Sequence, residues 1–288
     1  MSAGSTAPVG ILIGAKMTSP YKLLALDMDG TLLDSRKQVS PKTQQAIEEL
    51  AKTGVAVAYC TGRSLPEMRD VRRALPFVRY GSQVSGALTY DFETDTVISA
   101  TPLSTDICLQ LIRAGALENA MVHMHCVHAS VTRQVDIDRM HLVRMATYRS
   151  MFEEVCTRTD DLEAYVREHE GQVLKINLYH MDTESRERTR RRIQGLPIKL
   201  ADSERTSLES TAQGISKDKG IERICSRLGI GMDQVVAIGD APNDTDVLRA
   251  AGCAVAMGNA TPEIKQLADL VVADNDHDGI AEAIERLF

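Results

Sequence analysis

The sequence predicts an α/β protein, built on a doubly wound parallel sheet with an inserted α+β segment. Three observations predict this class: a strand–helix–strand order near residue 21, the same order again after residue 214, and an intervening stretch of alternating strands and charged helices. Two strands joined through a helix pair in parallel with a right-handed crossover. The two outer stretches therefore form one sheet with helices on both faces.

The first outer stretch begins with a buried strand. Tyr21 to Leu26 is apolar and runs into a polar turn. Ser40 and Pro41 then have the character of an N-cap and a first-turn proline, and Gly54 ends the helix that follows them. Val55 to Cys60 is a second apolar strand that also ends in a polar turn. These elements form one strand–helix–strand unit.

The second outer stretch repeats this order. Its predicted elements are the helix Lys217 to Leu228, the strand Val235 to Ile238, the helix Asp244 to Ala251, the strand Cys253 to Met257, the helix Thr261 to Ala268, the strand Leu270 to Val272 and the helix Gly279 to Phe288. We expect a core of residues 21–87 and 197–288 and an inserted α+β cap of residues 88–196. The cap includes the predicted strands Ala87 to Tyr90, Thr96 to Ser99 and Met121 to Val127.

Composition narrows the classes of function. The chain has 288 residues, a formal net charge of −7 and 4% aromatic side chains. An acidic balance disfavours nucleic acid and anionic membranes as partners, and the run Val9 to Ala15 is too short to span a bilayer. Residues 1–20 are predicted to be a disordered leader without a secretory signal, and Met17 is an alternative start. Six scattered cysteines favour reduced thiols and a cytoplasmic location. The sequence carries no signal for oligomeric state.

Polar side chains follow the predicted parallel strands where each strand ends. These residues are Asp27, Asp29, Thr61, Asp240, Asn243 and Asp244. Ligands bind beyond the carboxyl ends of such strands, so one site collects them. Carboxylates that crowd together repel unless a cation neutralises them, and oxygen ligands suit Mg²⁺. Lys217 adds a positive charge that can pair with an anionic ligand, for which phosphate is the natural candidate.

Four motifs cover these positions: Asp27-Met28-Asp29-Gly30-Thr31, Thr61-Gly62-Arg63, Lys217, and Gly239-Asp240-x-x-Asn243-Asp244. In order and spacing they resemble the haloacid dehalogenase-like phosphatases. The 156 positions between Thr61 and Lys217 leave room for a cap, as in the Cof-type branch of that family. Met257 to Ala260 and Asp274 to Gly279 add to the likeness, which covers about residues 21–288. The resemblance implies a Rossmann-like core.

The resemblance also implies roles for the residues. Asp27 would be the nucleophile that forms an aspartyl-phosphate, and Asp29 the general acid and base. Thr61 and Lys217 would stabilise the transferring phosphoryl group. The residues implied to bind substrate are Gly62, Arg63 and Asn243. The residues implied to bind Mg²⁺ are Asp27, Asp29 through its backbone carbonyl, Asp240 and Asp244.

Two departures from the family pattern and two ambiguities remain. Ser85 stands where Cof-type chains usually have asparagine, and Ala241-Pro242 replaces a commoner Gly-Glu pair. Lys219 competes with Lys217 for the lysine role, although Lys217 fits the family pattern better. The segment from Met121 to His128 places His123 and His125 on one strand face, beside Cys126 and His128. Three readings stay open for it: a soft-metal site, a substrate-facing cap strand, and ordinary packing or solvent exposure.

The expected function is a Mg²⁺-dependent phosphatase of small phosphorylated metabolites, such as sugar phosphates or the cofactor phosphates pyridoxal phosphate and flavin mononucleotide. Nucleotides stay on this list because Tyr90, Tyr148 or Tyr179 could stack on a ring. Two alternatives are a phosphomutase on the same fold and a non-catalytic protein that binds phosphorylated ligands. Analysis of the products separates a phosphatase from a phosphomutase, since a mutase yields an isomer rather than free phosphate.

Overall fold

The computed structural model describes residues 19–202 and 205–288, and all but the last two residues of the predicted leader lie outside that part. The strands of the described residues are β1 Leu23–Leu26, β2 Ala56–Cys60, β3 Tyr80–Gln83, β4 Leu88–Asp91, β5 Thr96–Ala100, β6 Met121–Cys126, β7 Ser130–Thr132, β8 Cys156–Arg158, β9 Val173–Tyr179, β10 Ile198–Ala201, β11 Ser207–Ala212, β12 Val235–Gly239, β13 Cys253–Ala256 and β14 Leu270–Val271. The α-helices are α1 Pro41–Lys52, α2 Arg69–Ala74, α3 Thr105–Ala116, α4 Gln134–Asp138, α5 Arg149–Val155, α6 Leu162–Glu168, α7 Thr183–Arg192, α8 Lys217–Leu228, α9 Thr245–Ala250, α10 Pro262–Leu267 and α11 Gly279–Leu287.

The first sheet contains eight strands in the order β14-β13-β12-β1-β2-β3-β4-β5. Neighbouring strands from β14 to β3 are parallel, whereas β4 and β5 are antiparallel additions at one edge. Strand β1 lies between β12 and β2, with Leu23 in register with Val235 on one side and Ala56 on the other. The predicted doubly wound α/β class is confirmed.

Both faces of this sheet are covered by helices. Leu24 and Leu26 of β1 belong to an apolar cluster with residues of α1 and α11. Leu23 and Ala25 point to the opposite face, into a cluster with residues of α8, α9 and α10. A strand buried on both faces needs an unbroken apolar run rather than alternation, which is the pattern of this segment.

The second sheet contains six strands in the order β10-β11-β9-β6-β7-β8, all antiparallel except the pair β7 and β8. Helices α3 and α6 cover one of its faces, where Val122, Met124, Ile176 and Leu178 form an apolar cluster with them. The alternate residues of β6 and β9 lie on the other face. That face carries polar side chains and is turned towards the first sheet.

The strand membership differs from the predicted boundaries in two places. Strands β4 and β5 were expected in the inserted segment, but they extend the first sheet through the pairing of Tyr80 with Asp91. Strands β10 and β11 were expected in the core, but they belong to the second sheet. An alternating strand looks the same whichever sheet it joins, and its hydrogen-bonded neighbour decides the membership. Among the described helices, none combines the length and the apolar character that crossing a membrane requires.

Candidate active site

The predicted site residues lie at the carboxyl ends of three adjacent parallel strands. Asp27 follows β1, Thr61 follows β2 and Asp240 follows β12. Since β12, β1 and β2 are neighbours in the sheet, their ends meet at one edge. Residues more than two hundred positions apart in the chain are thereby brought together.

The ammonium group of Lys217 lies at the centre of this site. Lys217 is the first residue of α8 and only 3% exposed, and its Nζ donates to Asp27 Oδ1 at 2.5 Å and to Asp244 Oδ1 at 2.6 Å. Burial alone lowers the pKa of Lys217, but Asp244 and Asp27 outweigh it and raise that pKa well above the usual value. Lys219 instead pairs with Glu222 near the surface, so the structure places Lys217 at the site.

Three carboxylates surround that single ammonium group. Oxygens of Asp27, Asp240 and Asp244 lie within 4.8 Å of one another. Burial and the charge of Asp244 raise the pKa of Asp27 to about 8 and that of Asp240 to about 6. The cluster therefore has more negative charge than Lys217 balances. Its all-oxygen donor set fits a divalent cation such as Mg²⁺.

Backbone amides hold one of these carboxylates in place, and a side-chain hydroxyl holds another. The amide groups of Asp240 and Ala241 donate to Asp244 Oδ2 at 3.1 and 3.2 Å. Thr31 Oγ1 donates to Asp240 Oδ1 at 3.1 Å. Gly30 has φ +85°, and a Cβ at this position would lie 2.4 Å from Asp240 Oδ2, so a larger residue would displace that carboxylate.

Asp29 lies at the edge of the cluster and is held by two positively charged side chains. Arg63 donates to it through Nε at 2.9 Å and Nη2 at 2.7 Å, and Lys37 Nζ donates at 2.9 Å. Burial raises the pKa of Asp29, but these hydrogen bonds outweigh it and lower the pKa below the usual value. Its side chain is 43% exposed. Asp29 is thus separated from the three-carboxylate cluster in this arrangement.

The turn after β2 forms the next part of the site. Thr61 is buried, and its Oγ1 accepts the amide of Arg63 at 3.1 Å. The carbonyl of Gly62 accepts a hydrogen bond from Lys175 Nζ at 2.8 Å. Ser85, at φ +58°, donates its amide to the Thr61 carbonyl at 3.0 Å, in a backbone region that asparagine adopts more readily than serine.

A cavity of about 350 Å³ opens above these groups, between the two sheets. Its walls include most of the predicted site and part of the second sheet: Asp27, Asp29, Thr61, Gly62, Arg63, Glu67, His125, Met145, Tyr148, Met151, Phe152, Lys175, Asn177, Tyr179, Asp202, Glu209, Ala241, Pro242 and Asn243. Asn243 is exposed at its rim. Of the three candidate stacking residues, Tyr148 and Tyr179 line the cavity, whereas Tyr90 lines a separate groove.

The second sheet contributes polar residues that the sequence interpretation did not single out. Lys175 and Asn177 alternate with apolar residues along β9 and face the cavity, and Lys175 Nζ also contacts Glu209 at 3.2 Å. The signal for Lys175 was a charged residue in the middle of an otherwise apolar strand. Glu67, in the turn after β2, has no sequence signal. It becomes informative only when the fold places it beside His125.

His123 and His125 lie on the same face of β6, as strand alternation predicts, and both are buried. Cys126 points into the apolar cluster on the opposite face, and His128 is exposed. Burial lowers the pKa of His123 well below its usual value, so its ring is neutral. Burial raises the pKa of Glu67, but His125 and His123 outweigh this and hold it well below the usual value.

Comparisons with known proteins agree with this geometry. Two curated relatives are 29% identical to the chain. The 5-amino-6-(5-phospho-D-ribitylamino)uracil phosphatase YcsE of Bacillus subtilis matches over 91% of this chain and 94% of its own. The pyridoxal phosphate phosphatase YbhA of Escherichia coli matches over 91% and 97%. A crystal structure of a haloacid dehalogenase-like hydrolase from Bacteroides thetaiotaomicron superposes with a TM-score of 0.81 at 25% identity, covering 93% of this chain and 100% of that one.

The family model for haloacid dehalogenase-like hydrolases matches residues 24–284. The match extends from β1 into α11 and so includes all four motifs and both sheets. The resemblance stated from the motifs is confirmed. The chain belongs to the haloacid dehalogenase-like hydrolase family.

Proposed function

We propose that this protein is a Mg²⁺-dependent phosphatase that hydrolyses small phosphorylated metabolites through an aspartyl-phosphate on Asp27. One observation carries the proposal: the Lys217 ammonium contacts both Asp244 and Asp27, and Asp27 lines the cavity between the two sheets. A buried nucleophile, a fixed positive charge and a cluster of carboxylates are the parts that phosphoryl transfer needs.

The activity class rests on the family. The chain is a hydrolase of phosphoric monoesters, since it belongs to a hydrolase family and the curated relatives described above are phosphatases. The cavity volume of about 350 Å³ suits a small metabolite. Sugar phosphates and cofactor phosphates such as pyridoxal phosphate or flavin mononucleotide are the substrate classes we propose.

Asp27 supplies the nucleophile. A carboxylate oxygen of Asp27 attacks phosphorus, a new O–P bond forms, and the bond from phosphorus to the leaving oxygen breaks. The charge of Lys217 favours the carboxylate form of Asp27 and opposes burial and the charge of Asp244, which raise its pKa; a bound cation would favour the carboxylate further. The same ammonium offsets negative charge on the transferring group. Water then attacks the phosphorus of the aspartyl-phosphate and releases inorganic phosphate.

Asp29 moves the protons. It protonates the leaving alkoxide in the first step and accepts a proton from the attacking water in the second. Arg63 and Lys37 hold Asp29 in its ionised form before substrate binds. We infer that Arg63 exchanges Asp29 for the phosphate of the substrate. That exchange frees Asp29 and raises its pKa, so that the carboxyl group can carry the proton it donates.

The remaining motif residues bind the phosphoryl group and the cation. Thr61, the Gly62 backbone and Asn243 donate hydrogen bonds to phosphate oxygens. The cation is held by Asp27, the backbone carbonyl of Asp29, Asp240 and Asp244, of which three have oxygens within 4.8 Å of one another. When bound, Mg²⁺ neutralises charge that Lys217 alone does not balance.

The second sheet acts as the specificity cap in this proposal. Its strands begin at Met121 and end at Ala212, so we place the cap at about residues 101–216 and the core on either side of it. The cap closes the cavity over the leaving group and excludes bulk water. All six cysteines are free thiols, which supports a reducing, cytoplasmic setting.

Phosphate release from p-nitrophenyl phosphate, followed by a metabolite panel with and without Mg²⁺, tests the proposal. Asp27→Asn is compared with the wild type. Asp246→Asn is the matched control, since Asp246 is an exposed residue of α9 that pairs with Lys199 outside the site. We expect Mg²⁺-dependent release from the wild type and the control, and none from Asp27→Asn. Phosphate release that survives in Asp27→Asn would show that Asp27 is not the nucleophile. An isomeric product would indicate a phosphomutase.

A further inference from the structure

Glu67, His123 and His125 form a second cluster of potential metal ligands, distinct from the three carboxylates. One donor atom from each residue lies within 4.8 Å of the other two. His125 Nδ1 is 3.4 Å from Glu67 Oε2, and His123 Nε2 is 4.0 Å from Glu67 Oε1. Both histidine side chains and the glutamate side chain are at most 5% exposed. The cluster is therefore largely shielded from solvent.

The separation of His125 from Glu67 is that of two ligands around one ion, whereas His123 Nε2 lies further from Glu67 and shares a 2.5 Å hydrogen bond with Ser130 Oγ that a bound ion would replace. Two atoms bound to Zn²⁺ at its usual bond lengths in a tetrahedral arrangement lie about 3.4 Å apart. Glu67 Oε2 and His125 Nδ1 have this separation, yet no hydrogen bond satisfies Nδ1 of His125. Nδ1 of His123 and Oδ1 of Asn177 also lack hydrogen-bond partners. Buried polar atoms are normally paired, so the orphaned Nδ1 of His125 beside Glu67 needs an explanation.

The ligands come from two different parts of the fold. Glu67 lies in a 3₁₀ turn, Pro66–Met68, that follows β2 of the first sheet, and Ser64 fixes it through its amide at 2.6 Å and its hydroxyl at 2.7 Å. His123 and His125 lie on β6 of the second sheet. The sequence interpretation lacked a complete ligand set for the histidine pair, and the carboxylate from the other sheet supplies the missing ligand.

We propose that Glu67, His123 and His125 bind a divalent ion of borderline softness, with Zn²⁺ as the representative case. Two imidazoles and one carboxylate suit Zn²⁺, whereas Mg²⁺ prefers oxygen ligands alone. Three protein ligands leave a fourth coordination position. Glu67 and His125 also line the cavity, so water or a group of a bound ligand can fill that position from the cavity side. The ion links the two sheets across the wall of the substrate cavity.

Calorimetric titration of metal-stripped protein with ZnCl₂ tests this site. Zn²⁺ can also enter the carboxylate cluster, so the readout is the number of bound equivalents. We expect one fewer tight equivalent in Glu67→Gln and in His125→Gln than in the wild type, or an affinity at that site weakened by more than about 10-fold. His128→Gln is the matched control, because His128 is an exposed histidine three positions from His125. It should retain the wild-type stoichiometry.

A second measurement follows the visible absorption of bound Co²⁺. Co²⁺ in a tetrahedral site with nitrogen ligands absorbs strongly in the visible range, whereas octahedral Co²⁺ among oxygen ligands absorbs weakly. We expect the strong band in the wild type with Mg²⁺ in excess. We expect its loss in Glu67→Gln and in His125→Gln, provided that their circular dichroism remains that of the wild type. Equal Zn²⁺ stoichiometry and affinity in wild type and folded variants, or no strong Co²⁺ band in wild type, would overturn the proposal. Neither readout depends on phosphatase activity.

Discussion

The two walls of the cavity carry charge in different ways. On the wall formed by the first sheet, the buried carboxylates of Asp27 and Asp244 and the half-buried carboxylate of Asp240 share one ammonium group, that of Lys217. On the wall formed by the second sheet, Lys175 is paired with Glu209, and His125 lies against Glu67 from the turn after β2 of the first sheet. The first wall therefore has unbalanced negative charge, whereas the charges of the second wall are placed beside opposite charges or neutral donors.

This difference indicates what each wall is built to do. Excess buried charge is costly unless a cation or a reacting group compensates it, so it persists where chemistry requires it. Balanced charge, as in the pair of Lys175 with Glu209, can orient a ligand without an ion of its own. We therefore propose that the first wall carries out phosphoryl transfer and that the second positions the leaving group. The predictions below test whether the two walls respond differently to equivalent substitutions.

Removal of the central ammonium group should have the largest effect. In Lys217→Met, Asp27 and Asp244 lose their shared partner. We expect phosphate release to fall by about 10³-fold, because a charge that stabilises the transition state is lost. Stability of the metal-free protein should fall by about 3–5 kcal/mol, as for a broken buried ion pair. Phosphate assays and urea unfolding measure the two effects.

Lys219→Met is the control for that substitution. Lys219 lies two positions further along α8 and pairs with Glu222 at the surface. Its replacement should leave phosphate release unchanged and alter stability by less than about 1 kcal/mol. If both lysine variants behaved alike, the central role of Lys217 would be wrong.

Gly30→Ala should weaken cation binding without removing a ligand. The new Cβ would lie 2.4 Å from Asp240 Oδ2, so the carboxylate must move. We expect Mg²⁺ affinity to fall by about 10- to 100-fold, the range found when the surroundings of metal ligands are disturbed. Activity measured against Mg²⁺ concentration gives this affinity.

Gly54→Ala separates the clash from backbone strain. Gly54 has a similar φ of +91° but no atom within 4 Å of its would-be Cβ. Both variants should lose about 1–2 kcal/mol of stability from the left-handed backbone. Only Gly30→Ala should need a higher Mg²⁺ concentration than the wild type to reach half of its maximal activity. A matching shift in Gly54→Ala would show that strain, rather than displacement of Asp240, limits binding.

Replacement of Lys175, on the wall formed by the second sheet, should lower activity and stability less than replacement of Lys217. In Lys175→Met the Gly62 carbonyl loses its 2.8 Å hydrogen bond, while the carboxylate cluster is untouched. We expect about 1–3 kcal/mol of lost stability from the unsatisfied carbonyl. We also expect about a 10-fold decrease in kcat/KM, equivalent to about 1.4 kcal/mol, because the turn that binds phosphate is less well held. A loss as large as that of Lys217→Met would place Lys175 in the phosphoryl-transfer machinery itself.

The same two walls explain what the sequence predicts. The grouping of Asp27, Thr61 and Asp240 could be predicted because each follows an apolar strand, and the ends of neighbouring parallel strands meet in space. Their grouping with Lys217 follows from the order of elements along the chain. The first sheet and its charge cluster were therefore largely predictable from local patterns.

The second wall was not predictable in the same way. The role of Glu67 depends on the docking of one sheet against the other, which no local pattern encodes. Strands β4 and β10 joined the opposite sheets from those expected, because strand alternation does not identify a pairing partner. The ion pair of Asp29 with Arg63 also depends on the tertiary packing of two separate loops.

The smallest effect concerns pH and should appear in the metal-free protein. Asp240 has a folded pKa raised to about 6 and Asp27 one raised to about 8, both above the unfolded value near 3.8. Between the unfolded pKa and each folded pKa, the folded state binds more protons than the unfolded state. The stability that these two groups contribute is therefore fully present below about pH 4 and is lost as the pH rises through the folded pKa values. The melting temperature of metal-free protein should therefore contain a component that falls from pH 5 to pH 8.

Mg²⁺ should reverse this trend, because the cation replaces the protons that the carboxylates lose. The increase in melting temperature on adding Mg²⁺ should be several degrees larger at pH 8 than at pH 5. Lys175→Met should keep this difference, since the second wall contributes none of the three carboxylates. Asp240→Asn should reduce it, because one of the repelling groups is gone. A Mg²⁺ effect independent of pH in wild type would mean that charge repulsion on the first wall is not what the cation relieves.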